Sequence, residues 1–346
     1  MIRTALTVQI VCCTLLALTC VVQKLVWFRL WKYTETKEKQ VEGKRTLYFC
    51  GWNPSGWEGH VFPEYGHKQE LNWSVSTPTS GDLLIHSVHG PCKNGTERNF
   101  PGKILYATGE PDSIDLASET TYQLVISENL SKPHQMQLFP ISRLLYMVYY
   151  DNGVRETILD PKLKAVSTKE HFLIYVANNC HPHRDKAFLQ LSKIKPVHQG
   201  GKCPTKKYAN VTKVDTLGKR DGFLYNFKAF KHYRFCLVLE NTKMNGYVSE
   251  KIQMAFLGGC IPIYWGTLDV FKIFNAKSFI YYHVAQPELA LERVRYLEAN
   301  ETAYKEVMAE PILANGMVTI EEYYSMNDTI GGGKLKQKIR DLLELK

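Results

Sequence analysis

Four short apolar runs punctuate the first half of the chain: Leu47-Tyr48-Phe49-Cys50, Leu83-Leu84-Ile85-His86, Ile104-Leu105-Tyr106-Ala107 and Leu124-Val125-Ile126-Ser127. The last three recur roughly every twenty residues, after a longer interval of 36 from Leu47 to Leu83, as buried strands do when helices alternate with them. Gly and Pro clusters (Asn53-Pro54, Gly90-Pro91, Pro101-Gly102, Gly109-Glu110-Pro111) fall between the runs, where loops belong. A second series begins at His171. Phe172 to Val176 reads as a buried strand, and Ala187, Leu191 and Ile194 mark a helix. A short strand follows at Val197.

Phe235 to Gly266 is the most informative unit: a buried strand, a polar loop, a helix opening at Ser249-Glu250-Lys251, and a second strand from Cys260. Val248, Ile252, Ala255 and Phe256 share one helical face, and Gly258-Gly259 close the helix. Beyond it, Phe279 to Tyr282 predicts a strand and Pro287 to Glu310 one long charged helix. Lys334 to Lys346, after Gly331-Gly332-Gly333, predicts a basic amphipathic helix. The expected fold class is therefore α/β, with two Rossmann-like halves facing a cleft. The halves are expected at 45–165 and 166–325, with a C-terminal tail at 326–346.

The N-terminus has a different texture. Ala5 to Val22 holds Gln9 and three threonines as its only polar groups. As a helix it would reach roughly 27 Å, about one hydrocarbon thickness. With the aromatic continuation to Phe28 it predicts an uncleaved transmembrane signal anchor at 5–28, between a tail at 1–4 and a charged stem at 29–44. Lys24, Arg29 and Lys32 follow the apolar stretch Ala5 to Val22 on its C-terminal side, and the positive-inside rule alone would leave the bulk of the chain cytoplasmic. Six Asn-x-Ser/Thr sequons, at Asn72, Asn94, Asn129, Asn210, Asn300 and Asn327, argue instead for a secretory lumen.

Composition adds exclusions. The 346 residues are 45% hydrophobic and 22% charged, an ordinary globular balance. The net charge of +9 is scattered, with no arginine-rich arm and no aromatic-basic alternation, which argues against nucleic acid as a partner. Of nine cysteines, six lie outside the span, an even number that permits disulfides. Cys236 and Cys260 sit in apolar strand patterns and read as buried free thiols. No pair has zinc-ligand spacing, and no Asp-x-Asp pair is present to chelate a metal.

Packing does not account for Glu240, Asn241, Glu250 and Lys251 at the strand exit and first helical turn. Ser249-Glu250 suits an N-cap with a dipole-matched acid. Lys251 opposes the helix dipole, unless an anion binds there. A second cation, Arg184, ends the loop Tyr175 to Arg184 at the start of another helical pattern, and arginine is suited to a bidentate grip on phosphate. His181 and His183, without a nearby acid, read as loop residues. Cys180 and Cys203 bracket this segment and are expected to pair.

Phe235 to Gly266 resembles the donor-binding motif of α1,3-fucosyltransferases. The match lies in Glu240-Asn241, Tyr247-Val248-Ser249-Glu250-Lys251 and Ile261-Pro262-Ile263-Tyr264-Trp265-Gly266, with Ser249 where the family has Thr. Val176-Ala177-Asn178 and Arg184 are similar to its Ser-Asn segment and phosphate-binding arginine, and Cys180 and Cys203 to a cysteine pair of many eukaryotic members. Tyr106 to Glu110 resembles the segment that carries the catalytic base. The resemblance implies a GT-B fold and an inverting Golgi transferase, a single-pass type II membrane protein with its catalytic part in the lumen. It implies transfer of L-fucose from GDP-fucose to a GlcNAc hydroxyl of a glycan or glycoprotein, in α1,3 linkage. It also implies Glu110 as base, Glu250 on the ribose, and Lys251 and Arg184 on the diphosphate. Tyr247, Asn178, Glu240 and Asn241 would complete the donor site. No metal cofactor is implied, though Mn or Mg stimulation stays open. Two other readings stand beside it: a GT-B transferase using a different nucleotide-sugar, and a catalytically silent glycan- or nucleotide-binding relative.

Overall fold

Runs of buried Val, Leu, Ile and aromatic residues that carry almost no polar interruption are the signature of parallel strands covered on both faces. In the second half, strands β7 (His171–Val176), β8 (Val197–Gly200), β9 (Val211–Lys213), β10 (Tyr233–Leu239), β11 (Ile261–Trp265) and β12 (Ile280–Tyr281) form one sheet in the order β12-β11-β10-β7-β8-β9. Of these, β7, β10 and β11 carry that signature. Every registered neighbour is parallel. Read from the other edge, this is the doubly-wound dinucleotide-binding order, whose winding reverses between β7 and β10.

The helices cover both faces. Phe235, Leu237 and Leu239 of β10 pack with α1 (Pro182–Ser192), α5 (Glu288–Ala299) and α6 (Glu301–Ala309). The alternate residues Cys236 and Val238 pack with Ile252, Ala255 and Phe256 of α3 (Glu250–Leu257). Smaller helices complete this half: α2 (Asn226–Phe230), α4 (Val270–Ile273) and α7 (Met317–Tyr323).

The first half holds a second sheet, in the order β2-β1-β3-β4-β5-β6. Its strands are β1 (Arg45–Cys50), β2 (Tyr65–Glu70), β3 (Leu83–Ser87), β4 (Lys103–Ala107), β5 (Thr121–Val125) and β6 (Gln135–Gln137). Leu47, Phe49, Leu83, Ile85 and Leu105 form the core on one face, and Tyr48, Leu84, Phe100 and Ile104 cluster on the other. The C-terminal helix α8 (Lys334–Leu342) joins the first of these clusters through Leu335 and Ile339, with Leu343 following. Arg340 seals it with two contacts to the Glu64 carboxylate, 2.9 and 2.8 Å. The basic face of α8 turns to acids: Lys334 pairs with Glu321, Lys336 with Asp328 and Lys338 with Glu322.

This computed structural model describes residues 45–50, 61–70, 77–87, 92–108, 110–111, 120–125, 134–137, 158–159, 169–203, 210–215, 226–326, 328 and 331–346. The expected membrane span and stem lie outside them, as do Asn72, Asn129, Asn327 and the side chain of Asn94. Among the described residues no helix is long and apolar enough to cross a membrane.

Two expectations need correcting. The long helix at Pro287 to Glu310 is two helices, broken at Asn300. That residue is extended, and its Oδ1 accepts from the Ala303 N–H at 3.0 Å, so it caps α6 instead of continuing α5. Cys236 and Cys260 are fully buried but not free thiols: they are bonded to each other, their Cα atoms 5.9 Å apart. Cys180 is bonded to Cys203, as expected, and Cys50 to Cys92.

Candidate active site

Where the winding of an open α/β sheet reverses, the loops leaving two adjacent strands diverge and open a crevice at their carboxyl ends. Here those strands are β7 and β10. The loop after β7 leads into α1, whose first turn carries Arg184. The loop after β10 leads into α3, whose first turn carries Glu250 and Lys251. The fold thus brings together two cations that are 67 positions apart in the chain (251 − 184).

Arg184 is only 3% exposed. Its Nε donates to the Glu240 carbonyl at 3.2 Å, its Nη1 to the Asn179 carbonyl at 3.3 Å, and its Nη2 to Asn241 Oδ1. Burial draws its pKa down, while Tyr175, Glu240, Tyr247 and Glu250 oppose that shift. An arginine stays protonated throughout.

Lys251 Nζ donates to Glu240 Oε2 at 3.1 Å and to Ser249 Oγ at 2.8 Å, and lies 3.9 Å from Glu250 Oε1. Burial disfavours its charge, but the carboxylates of Glu240 and Glu250 more than reverse this, and its pKa is raised. The cation that opposes the α3 dipole is therefore held by a carboxylate behind it. Ser249 occupies the N-cap position without accepting a backbone N–H of the helix. Its N–H instead donates to Glu240 Oε1 at 2.8 Å and its hydroxyl to Glu240 Oε2 at 2.7 Å. Glu240, expected among the residues that meet the donor, is 0% exposed and lies behind Lys251 and Arg184. Its supporting role is not legible in the sequence, which does not distinguish a buried acid at a strand exit from an exposed one.

Tyr247 is buried, and Gly246 before it turns the chain at φ 78°, a conformation that favours glycine. The Gly246 N–H donates to Asp269, which pins this loop to the turn after β11. Burial raises the Tyr247 phenol's pKa; Lys251 opposes the shift, and the charges of Glu240, Glu110 and Glu250 add to it. Glu110, from the first half, thus lies within electrostatic reach of the α3 loop. Its own N–H donates to Thr108 Oγ1 at 3.1 Å.

Asn178 is exposed, and its Oδ1 accepts from the Lys202 N–H at 3.2 Å. It braces the loop that Cys180–Cys203 staples. Gly201, at φ 82°, passes so near Ala177 that a Cβ would stand 2.3 Å from its carbonyl oxygen. His183, read from the sequence as a loop residue, has a place in the site. Its Nε2 lies 3.1 Å from the Glu240 carbonyl and its ring 4.5 Å from that of Trp265. Among the described residues the one compact His/Cys/Asp/Glu trio is Cys50, His86 and Cys92, in the first half, and its two sulfurs are bonded to each other.

A cavity of ≈ 40 Å³ borders Arg184, Glu250, Lys251 and Met254, with room for about one water. Another, of ≈ 720 Å³, lies at the amino ends of the strands around His171, Tyr233 and Phe227. It is the larger, but open α/β sheets bind ligands at the other edge, where the cations converge. Two cations at helix N-termini, one acid beside them and Glu110 within electrostatic reach suit an anionic leaving group and a proton acceptor.

Residues 166–309 match the family model Glycosyltransferase family 10 (fucosyltransferase) C-term. The chain carries a glycosyltransferase family 10 domain. The putative fucosyltransferase R654 of Acanthamoeba polyphaga mimivirus is 32% identical over 173 residues, covering 47% of this chain and 28% of the relative. The alpha-(1,3)-fucosyltransferase FucT of Helicobacter pylori is 35% identical over 148 residues, covering 41% of this chain and 28% of the relative. The chain thus spans under a third of the length of these relatives. A crystal structure of an alpha1,3-fucosyltransferase with GDP-fucose superposes with a TM-score of 0.58 at 21% identity, over 89% of this chain and 94% of that one. At that identity the superposition speaks for the fold, an α/β arrangement of parallel sheets. Within the family 10 domain lie β7, β10, α1 and α3, and with them both cations.

Proposed function

We propose that this protein is an inverting fucosyltransferase that moves L-fucose from GDP-fucose to a GlcNAc hydroxyl in α1,3 linkage, on an N-glycan core or an N-acetyllactosamine chain. The carrying observation is the pair Arg184 and Lys251 at the β7/β10 switch point, one in the first turn of α1 and the other in the first turn of α3, inside a family 10 domain. In the proposed reaction the diphosphate gains negative charge as the glycosidic bond breaks, and preorganised cations stabilise that charge most when it develops. Glu250, beside Lys251, holds the ribose hydroxyls. Tyr247 lines the guanosine-diphosphate pocket, and Asn178 and Asn241 border it.

Glu110 takes the proton of the acceptor hydroxyl on the face opposite the leaving group, so the anomeric configuration inverts. The cations take the place a chelated metal would fill. Residues 45–165 bind the acceptor and 166–325 the donor. The apolar N-terminal stretch and the sequons support a Golgi membrane anchor at 5–28 with the catalytic part in the lumen.

The test is incubation of residues 45–346 with GDP-fucose, and separately with other nucleotide-sugars, over a glycan panel, with product linkage read by NMR. Transfer of fucose in α1,3 linkage is the expected result. Transfer from a different donor assigns another sugar to the same clamp, and absence of transfer from every donor leaves a silent binding protein.

A further inference from the structure

We infer that Glu240 and Asn241 are positioning residues: one dipeptide at the exit of β10 sets both cations of the clamp in place before any ligand arrives. The inference rests on the reading of Arg184 and Lys251 as a diphosphate clamp and deepens it.

Glu240 contributes at two levels. Its carboxylate, fully buried, accepts from the Ser249 N–H, the Ser249 hydroxyl and Lys251 Nζ at 2.8, 2.7 and 3.1 Å. Its backbone carbonyl faces Arg184 Nε at 3.2 Å and His183 Nε2 at 3.1 Å. Asn241 adds its Oδ1 to Arg184 Nη2. A buried carboxylate is costly unless its oxygens are met by charge-assisted donors, and here Lys251 and Ser249 meet them. The same contacts make Glu240 unavailable as a proton acceptor for substrate.

The donor inventory shows what remains. A guanidinium has about five N–H groups and an ammonium about three. Arg184 commits three to Glu240, Asn179 and Asn241, and Lys251 commits two to Glu240 and Ser249. Two N–H groups of Arg184 and one of Lys251 are left for an anion, on side chains whose rotamers are already fixed. Fixing a long cationic side chain in advance lowers the entropy lost on binding, and it aims the charge where the leaving group will need it.

The test uses binding alone, with GDP and GMP as probes. The ratio of the two affinities isolates the contribution of the β-phosphate. The folded wild-type protein is expected to prefer GDP by about 100-fold, two tenfold steps for two charged contacts. Glu240→Gln, checked for folding by circular dichroism, should cut that ratio about tenfold. In a Lys251→Met background the same change should cut it no further, because the cation it positions is gone. Asn241→Ala, at a half-buried position and checked for folding in the same way, should cut the ratio through Arg184. A loss of stability alone would lower the folded fraction and leave the ratio unchanged. Equal ratios in wild type, Glu240→Gln and Asn241→Ala would overturn the positioning role while leaving the clamp standing. A wild-type protein that does not distinguish GDP from GMP would remove the clamp, and this proposal with it.

Discussion

Gly266 lies against the side chain of Glu240: a Cβ built on the glycine would stand 2.9 Å from Glu240 Cγ. It would also stand 2.3 Å from the hydroxyl oxygen of Tyr264. The turn after β11 therefore needs glycine for close approach to the acid that supports Lys251. Gly266→Ala should lower stability by about 1–3 kcal/mol, as overpacking does, read by urea unfolding. Adding Tyr264→Phe removes the nearest obstructing atom and should recover part of the loss. An alanine variant as stable as wild type would show that the turn relaxes freely.

Glu110→Gln keeps the shape of the side chain and removes its basicity. Turnover should fall by at least ~100-fold, the lower range for a general base, with GDP affinity unchanged. Titration calorimetry beside the transfer assay separates the two. Weakened GDP binding would move Glu110 from proton transfer to the donor site.

The rings of His198 and His171 lie 4.6 Å apart, tilted by 50°, near the amino ends of β8 and β7, and His198 Nδ1 lies 2.8 Å from the Tyr233 hydroxyl. Burial and then His171 lower the His198 pKa. A base with a depressed folded pKa binds its proton more readily when unfolded. Stability is thus intact above the unfolded value of about 6.5 and lost as pH falls from there towards the folded pKa. His181 and His183, both lowered first by burial, push in the same direction. Unfolding free energy should drop as pH falls through and below about 6.5, and His198→Gln should flatten that slope without abolishing it. An unchanged slope would exclude His198 as a contributor.

Cys236 and Cys260 close a loop over 24 residues of sequence separation. Replacing both by alanine should cost about 2–4 kcal/mol, and peptide mapping without reductant should recover the two cysteines as one linked species. Two alkylatable thiols in the native protein would restore the free-thiol reading.

Asn300 separates capping from glycosylation. Asn300→Asp keeps an acceptor at the cap and destroys the sequon, so stability should hold to within about 0.5 kcal/mol. Asn300→Ala loses the cap and should cost about 1 kcal/mol. If both variants lose stability equally when expressed with glycosylation, the attached glycan matters more than the cap.

Much of this was legible in the chain. The strands β1, β3, β4, β7, β10 and β11 are apolar runs because parallel strands between helix layers bury both faces. The polar edge strands β2 (Tyr-Gly-His-Lys-Gln-Glu) and β6 (Gln-Met-Gln) lack that signal, since a neighbour on one side alone asks less of the side chains. Arg184 and Lys251 stood out as cations at predicted helix starts, yet their shared support in Glu240 and Asn241 depends on the parallel pairing of β7 with β10. The Cys236–Cys260 bond was hidden for a related reason. Two cysteines in apolar strands look like packing residues until the register brings them together.

The docking of α8 into the first sheet separates the order of synthesis from the order of completion. Leu47, Phe49 and Leu83 emerge from the ribosome long before Leu335, Ile339 and Leu343, which belong to the same cluster. The first half therefore waits, with part of its apolar face uncovered, until α8 has been made. A stop codon ahead of Leu335 would leave Arg184 and Lys251 encoded and would strip Leu335, Ile339 and Leu343 from the core of the first sheet.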